Sequence, residues 1–299
     1  FLIANGQEAL YNYISLFDFD KLFSKAIHKK LVGWLRLYFF IGGMPEAVKA
    51  YVETQNLLEV EKIQQSILTS FKYDFAKYGS RKEQEYLNEC LEYAGGNIGK
   101  KVKYSNINKN AHSRDLKEAL IKLQLSRIIH LVYKTGSSKV PINQYQDKNI
   151  FKLLFLDIGL ACNLAKIKLN EIQDIVTDFE GILAEQFIGQ ELISGFEPFE
   201  DAGLFYWLRE KRGSGSEVDF LFQIGNHIFP IEVKAGKTGS LKSLHVYLAE
   251  KKQNKAVRFN LDLPSFGKDL TAKTNLNMEN SSFEFDLYSL PLYLAAFIR

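Results

Sequence analysis

Apolar and polar residues alternate along two short runs that flank Gly225-Asn226, and this pattern predicts a tight β-hairpin over residues 217–234. Glycine accepts φ > 0 without strain, which suits a two-residue hairpin turn. Placing Ile224 opposite His227 fixes the register of the two predicted strands. One face of the hairpin is then wholly apolar, with Val218, Phe220 and Phe222 opposite Val233, Ile231 and Phe229.

The other face of the predicted hairpin is charged. Asp219 lies opposite Glu232, and their Cα atoms are about 4.5 Å apart if the pair is non-hydrogen-bonded. Two carboxylates at this separation repel, which favours a hard divalent cation between them, and Mg²⁺ is the first candidate. Lys234 falls on the same face and can hold an attacking water or a phosphate oxygen. The alternative is a solvated face with a Glu217–Lys234 pair and a tolerated repulsion between the acids.

Helical periodicity and short apolar runs divide the rest of the chain, and they predict a multidomain α/β (α+β) protein. Residues 1–78 are predicted to form a helical segment and residues 79–165 a second module. Residues 166–299 begin with a helix over Phe179–Leu192, which carries Glu185, and continue as an α/β layer around a mixed sheet. Further predictions in this part are strands at Leu204–Leu208 and Ala256–Phe259, an edge strand at Leu287–Leu290 and a closing helix at Leu292–Ile298.

The second module has the element order of a winged helix. A helix at Arg81–Ala94, a short one near Ser105–Ile107 and a longer one over His112–Leu125 precede predicted strands at Ile128–Tyr133 and Lys139–Ile142. In such modules the third helix enters the major groove of DNA. The alternative is a helical module whose basic face is solvated or contacts protein.

Charge is unevenly distributed along the 299 residues, whose formal net charge is only +3. From Asn97 to Val140, ten Lys and Arg residues stand against two acids, a local charge of +8. A basic block on a nearly neutral chain indicates a surface that faces a polyanion. DNA is therefore the predicted partner, contacted by Lys100, Lys101, Lys103, Lys109, Arg114 and Lys117.

Several classes of protein are disfavoured by the composition. Two distant cysteines form neither a disulfide framework nor a zinc site, and no leader or apolar stretch long enough for a bilayer is present. We therefore expect a cytoplasmic protein without a membrane partner, and self-association stays open. Residues 235–238 imitate the end of a P-loop, but Ile231 stands where that motif requires glycine, so no nucleotide site is predicted.

Glu185 on a helix, Asp219 on one strand and Glu232-Val233-Lys234 on the next resemble the PD-(D/E)XK nuclease superfamily. Nearly the whole chain also resembles the C-terminal part of AAA-type ATPases that carry the domain DUF4143. This resemblance depends on the ordered set Gly42 to Val48, Asp74, Lys152, Leu156 to Leu160, Gly181 to Leu192, Tyr206-Trp207, Glu217 to Phe220 and Pro230 to Lys234.

The resemblance implies Mg²⁺- or Mn²⁺-assisted hydrolysis of phosphodiester bonds. Asp219, Glu232 and the Val233 carbonyl would bind the metal, and Lys234 would orient or deprotonate the attacking water. Glu185 would add a ligand or hold a water of the coordination shell. The superfamily's proline-aspartate pair is Val218-Asp219 here. ATP would bind only through an ATPase core that precedes residues 1–78 in a longer parent protein and is absent from this chain.

Three functions remain open on the sequence alone. The first is a Mg²⁺-dependent DNA endonuclease, aimed by the winged helix and driven by an ATPase module upstream. The second is a catalytically silent nuclease-like module that binds DNA or protein. The third is a regulatory ATPase fragment with no role on nucleic acid.

Overall fold

The computed structural model describes residues 1–77, 79–167, 179–197, 200, 203–210, 215–235, 240–276 and 279–297. Its α-helices are α1 (Glu8–Ser15), α2 (Lys25–Ile41), α3 (Pro45–Thr54), α4 (Leu57–Phe75), α5 (Arg81–Gly96), α6 (Tyr104–Ile107), α7 (Ser113–Leu125), α8 (Ile158–Leu164), α9 (Phe179–Ser194) and α10 (Lys242–Lys251). Short 3-10 helices cover Ile3–Asn5, Ile142–Tyr145 and Leu292–Phe297. Among the described residues, no helix combines the length and the apolar character needed to cross a bilayer.

In the part of the chain that the structure describes, eight strands form one mixed sheet, which confirms the predicted α/β class. They are β1 (Ile129–Thr135), β2 (Gln146–Phe155), β3 (Leu204–Arg209), β4 (Ser216–Ile224), β5 (His227–Lys234), β6 (Lys255–Asn260), β7 (Ser265–Leu276) and β8 (Glu279–Pro291). Their order in the sheet is β2-β1-β3-β4-β5-β6-β8-β7. Parallel pairs are β1 with β3, β5 with β6 and β6 with β8, whereas β3–β4, β4–β5 and β7–β8 are antiparallel.

The chain divides into two compact units. The first contains Phe1–Asn12, Gly33–Leu131 and Lys152–Ile175, and the second contains Tyr13–Val32, Val132–Phe151 and Val176–Arg299. The sequence analysis drew its boundaries after residues 78 and 165 by type of fold, whereas the two units are defined by compactness. The predicted boundaries therefore stay a prediction.

Side-chain caps mark the starts of two helices in the first unit. The Asn56 side chain accepts a hydrogen bond from the Leu58 N–H at the start of α4. Ser80 and Glu83 form a reciprocal capping box at α5, which satisfies two backbone donors at that helix end. Lys122 also contacts Glu83, and these bonds lower the pKa of the Glu83 carboxyl to about 2.

A buried carboxylate joins two loops within the first unit. Asp157 is 3% exposed and accepts hydrogen bonds from the Gly43 N–H at 2.7 Å and the Leu160 N–H at 2.9 Å. Burial raises the pKa of this carboxyl, although the backbone donors act in the opposite direction. Gly42 has φ 75°, and a Cβ there would collide with the Asp157 carboxylate. The break between α2 and α3 is therefore fixed by a specific packing contact.

Helices α5, α6 and α7 precede β1 and β2, which is the element order of the winged-helix prediction. The second strand is wrong in the sequence interpretation, because residues 142–145 form a 3-10 helix and β2 covers residues 146–155. Pro141 lacks a backbone donor, and the Ile142 N–H bonds the Gln223 side chain instead of a neighbouring strand. In addition, β1 pairs with β3 at Tyr133 and Lys134, so it belongs to the large sheet. The winged-helix identification stays a prediction.

The C-terminal strands differ from the sequence interpretation in two ways. Residues 287–290, predicted as an edge strand, lie within β8, which has β6 on one side and β7 on the other. The predicted closing helix is a short 3-10 helix at Leu292–Phe297. Strand β7, which the sequence interpretation omits, forms that edge of the sheet, and its pairing with β8 shifts between Gly267 and Leu270.

Candidate active site

The hairpin β4–β5 forms with the predicted register. Ile224 pairs with His227, Phe222 with Phe229 and Phe220 with Ile231. Gly225 has φ 55° at the first central position of the turn, where the tight hairpin turns require a positive φ. The turn chemistry therefore determines the register of the strands that carry the candidate catalytic residues.

A β-bulge interrupts β4 at Asp219. Opposite β3, Val218 pairs with Trp207 and Leu221 with Phe205, so two residues of β4 face the single residue between them. The bulge changes the side-chain alternation, and Val218 packs in the apolar cluster of Leu221 and helix α10. The prediction that Val218 shares a face with Phe220 is therefore wrong.

The bulge also changes how Asp219 meets β5. Regular pairing of β4 with β5 is observed from the turn to Phe220 and Ile231. Beyond it, Asp219 reaches across with its side chain, and its Oδ2 accepts a hydrogen bond of 2.8 Å from the Val233 N–H. The predicted Cα-to-Cα pairing with Glu232 is replaced by this side-chain contact. The bond fixes the carboxylate beside the residue that precedes Lys234.

Glu232 and Lys234 form an ion pair on β5. The Lys234 Nζ lies 2.6 Å from Glu232 Oε1, and the side chains are 33% exposed for Lys234 and 4% for Glu232. This contact replaces the Glu217–Lys234 pair of the alternative interpretation. Pro230 precedes the parallel ladder with β6, which runs from Ile231 to Lys234, as expected for a residue without a backbone donor.

The electrostatic environment of Lys234 brings the four predicted catalytic residues together. Burial alone would lower the pKa of this amine, but Glu232, Asp219 and Glu185 all raise it, and the net direction is upward. Glu185 on α9 is therefore close enough to act on the same ammonium group. Lys234 is protonated at neutral pH, which suits it to hold a phosphate oxygen or a water but not to remove a proton.

The side-chain oxygens of this site are of the type that a hard cation prefers, but they are few. Asp219 and Glu232 provide carboxylate oxygens, which Mg²⁺ prefers, and this ion usually keeps several waters of its own. Among the described residues, no group of three or more His, Cys, Asp or Glu side chains is placed to hold a metal. A bound ion would therefore need the two acids, the predicted Val233 carbonyl and solvent.

The predicted DNA-contacting residues lie within one stretch of the first unit, between the end of α5 and the middle of α7. Lys100, Lys103, Lys109 and Arg114 are exposed, whereas Lys101 and Lys117 are half-buried. Lys101 forms a backbone bridge with Lys152, and Arg114 contacts Glu118 at 3.2 Å on the same helix. Four of the six cations are thus accessible, and one of these four already has an acidic neighbour.

The sequence interpretation missed a polar row beside the acids. Glu232, Arg258 and Ser289 occupy matching register positions on the parallel strands β5, β6 and β8. The signal is absent from the sequence because neighbouring parallel strands are separated by long connections. The sequence shows one polar residue within each apolar run, but it does not show which residue on the next strand lies beside it.

Comparison with protein families divides the chain in two. Residues 33–171 match a family described as "Domain of unknown function (DUF8612)", and residues 180–270 match "Domain of unknown function (DUF4143)". No curated protein and no solved structure matches the chain. The resemblance to DUF4143, expected over nearly the whole length, is found in the second segment only. A DUF4143 domain therefore covers residues 180–270, and it contains Glu185, Asp219, Glu232 and Lys234.

Proposed function

We propose that this chain contains a Mg²⁺-dependent DNA endonuclease site that hydrolyses phosphodiester bonds. The observation that carries the proposal is the group of three acids around one ammonium. The Glu232 carboxylate lies 2.6 Å from the Lys234 ammonium, and Asp219 and Glu185 are close enough to raise the pKa of that amine. Such a concentration of carboxylates at one lysine is the arrangement that the PD-(D/E)XK resemblance predicts.

The chain's own residues have distinct roles in the proposed reaction. Asp219 and Glu232, with the Val233 carbonyl, would hold the cation, which when bound stabilises negative charge on the phosphate and lowers the pKa of water. Lys234 would orient the attacking water or neutralise a phosphate oxygen. Glu185 on α9 would hold a metal-bound water or add a ligand. The exposed lysines between α5 and α7 would bind the DNA backbone.

Cleavage of plasmid DNA in Mg²⁺ tests this proposal. Wild type should cut, and Asp219→Asn and Lys234→Ala should each lower the rate by about 100-fold or more, since removal of one electrostatic stabiliser typically costs that much. Glu217→Gln, on the same strand but outside the acid group, is the matched control and should remain active. Equal rates in wild type and both site variants would contradict the proposal.

A second candidate function is a catalytically silent module that binds DNA or protein. Two observations favour it: Lys234 is already neutralised by Glu232, and the described residues include no three-residue metal group. This candidate predicts DNA retention with no cleavage in Mg²⁺ or Mn²⁺. A DNA affinity that does not change with salt would contradict its DNA-binding form, because phosphate contacts release counterions.

We also propose that an ATPase core precedes this chain in a longer parent protein. It rests on the family resemblance alone, and no residue of this chain is assigned to ATP. Nucleotide hydrolysis by the purified 299-residue chain is therefore not expected.

A further inference from the structure

Arg258 occupies a position beside the proposed active site. Strands β5 and β6 are parallel, and their register pairs Glu232 with Arg258 and Lys234 with Asn260. Paired residues on neighbouring strands lie about 4.8 Å apart and extend on the same face of the sheet. The arginine is thus one strand away from the buried carboxylate of the proposed metal site.

The guanidinium of Arg258 is held in place by a neutral partner. Its Nε and Nη2 lie 3.1 and 2.9 Å from the Ser289 Oγ on β8, and Ser289 is 2% exposed. Asn260 also donates to this hydroxyl at 3.2 Å. Within the described part of the chain, Arg258 forms no ion pair, and its remaining N–H groups have no bond to a carboxylate. Its positive charge is therefore available to an anion.

The charges around Arg258 favour the binding of an anion when a cation occupies the proposed metal site. Glu185, Asp219 and Glu232 outnumber Lys234, and a divalent ion would balance the excess. A phosphodiester bound there would then need a further positive group. Arginine presents a planar fork of donors that matches phosphate geometry, and here the fork is oriented by Ser289 before any ligand arrives.

The location within the sheet agrees with a ligand-binding role. Strands β5, β6 and β8 are parallel, and Glu232, Arg258 and Ser289 lie near their carboxyl ends. In open α/β sheets, ligands bind at this edge of the parallel strands. We infer that Arg258 binds a non-bridging phosphate oxygen of the DNA strand at the proposed nuclease site, and that Ser289 positions it. The inference rests on the proposed function.

The test uses the full chain and the variants Arg258→Gln and Arg258→Lys, with Lys255→Gln as a matched control on the same strand. DNA cleavage in Mg²⁺ gives kcat and KM, and retention of a labelled oligonucleotide in Ca²⁺ gives affinity without cleavage. Arg258→Gln should lower kcat/KM by about 10- to 100-fold, as expected for a charged hydrogen bond. Arg258→Lys should recover part of this loss, and Lys255→Gln should stay within about twofold, because it lies outside the site.

A second readout separates phosphate binding from a structural role. Mn²⁺ affinity should be the same in Arg258→Gln and wild type, and the salt dependence of DNA binding should fall by the equivalent of about one phosphate. Active Arg258→Gln with wild-type kcat/KM overturns the inference and leaves the proposed function intact. Wild type that binds DNA without cutting it overturns the proposed endonuclease function, and equal affinity of the variant then overturns phosphate binding by Arg258 as well. Wild type that neither cuts nor binds overturns the proposed function and the inference with it.

Discussion

Lys234 is the residue on which the chemistry of the proposed site depends. Its ammonium lies 2.6 Å from Glu232, and three carboxylates raise its pKa against the effect of burial. A lysine with a raised pKa is a poor base at neutral pH, because the fraction without a proton is very small. Of the two roles that the sequence leaves open for it, orientation of water is favoured over deprotonation.

Substitution at Lys234 can distinguish a role as a positive charge from a role as a general base. We expect Lys234→Arg to keep a measurable part of the Mg²⁺-dependent cleavage, because it preserves the positive charge. Lys234→Gln should lower the rate by about 100-fold or more. Initial rates on plasmid DNA provide the measurement. Equal inactivity of the two variants would indicate that proton transfer by the lysine is essential.

The same residue predicts an alkaline loss of stability. The folded-state pKa of Lys234 is above the unfolded value of 10.5, so its contribution is complete below that pH and is lost as the pH rises through the folded pKa. We expect the urea midpoint of wild type to fall more steeply above about pH 10 than that of Lys234→Met. The exposed Lys242→Met variant serves as control and should follow wild type. Parallel curves for wild type and Lys234→Met would contradict the shift.

At the scale of elements, local chemistry determined what the sequence could predict. Gly225 set the hairpin register, and helical periodicity predicted the helix at Arg81–Ala94 that the structure contains as α5. The bulge at Asp219 could not be predicted, because it depends on how β4 pairs with β3, more than ten residues away along the chain. The row formed by Arg258 and its neighbours was hidden for the same reason.

The break after α2 provides an element-scale prediction. Gly42 has φ 75° and no room for a Cβ beside Asp157, whereas a Cβ at Gly33 within α2 would meet no atom within 4 Å. We expect Gly42→Ala to lower the free energy of unfolding by about 2–4 kcal/mol, since backbone strain and the collision add. Gly33→Ala should raise it by about 0.5–1 kcal/mol, because alanine favours helix. Urea denaturation measures both, and a decrease of equal size in both variants would contradict the packing explanation.

At the scale of the whole molecule, the sequence predicted the mixed α/β class, which the structure confirms. The site formed by four residues from a helix and two strands stays a prediction. The sequence did not predict the eight-stranded order, because five of the seven neighbour relations involve strands that are not joined by a short turn. Two families of unknown function match separate segments of the chain, one with the basic stretch and one with the acid group.

The basic stretch predicts DNA binding that depends on salt. Replacing the exposed Lys100, Lys103 and Lys109 with Gln should weaken DNA binding and reduce the slope of log affinity against log salt by up to about 0.9 for each phosphate that is no longer neutralised. The matched control replaces Lys25, Lys29 and Lys30, which are also exposed, and should leave the slope unchanged. Identical slopes in the two triple variants would exclude this stretch as the DNA-binding surface.

A cation at the acid group is the central claim, and diffraction at the manganese edge from crystals soaked in Mn²⁺ tests it most directly. The expected result is an anomalous peak from a Mn²⁺ ion that Asp219 and Glu232 coordinate. The Lys234 ammonium should then have moved away from Glu232. Crystals that take up no ion at Asp219, in which Lys234 keeps its bond to Glu232, would contradict the claim.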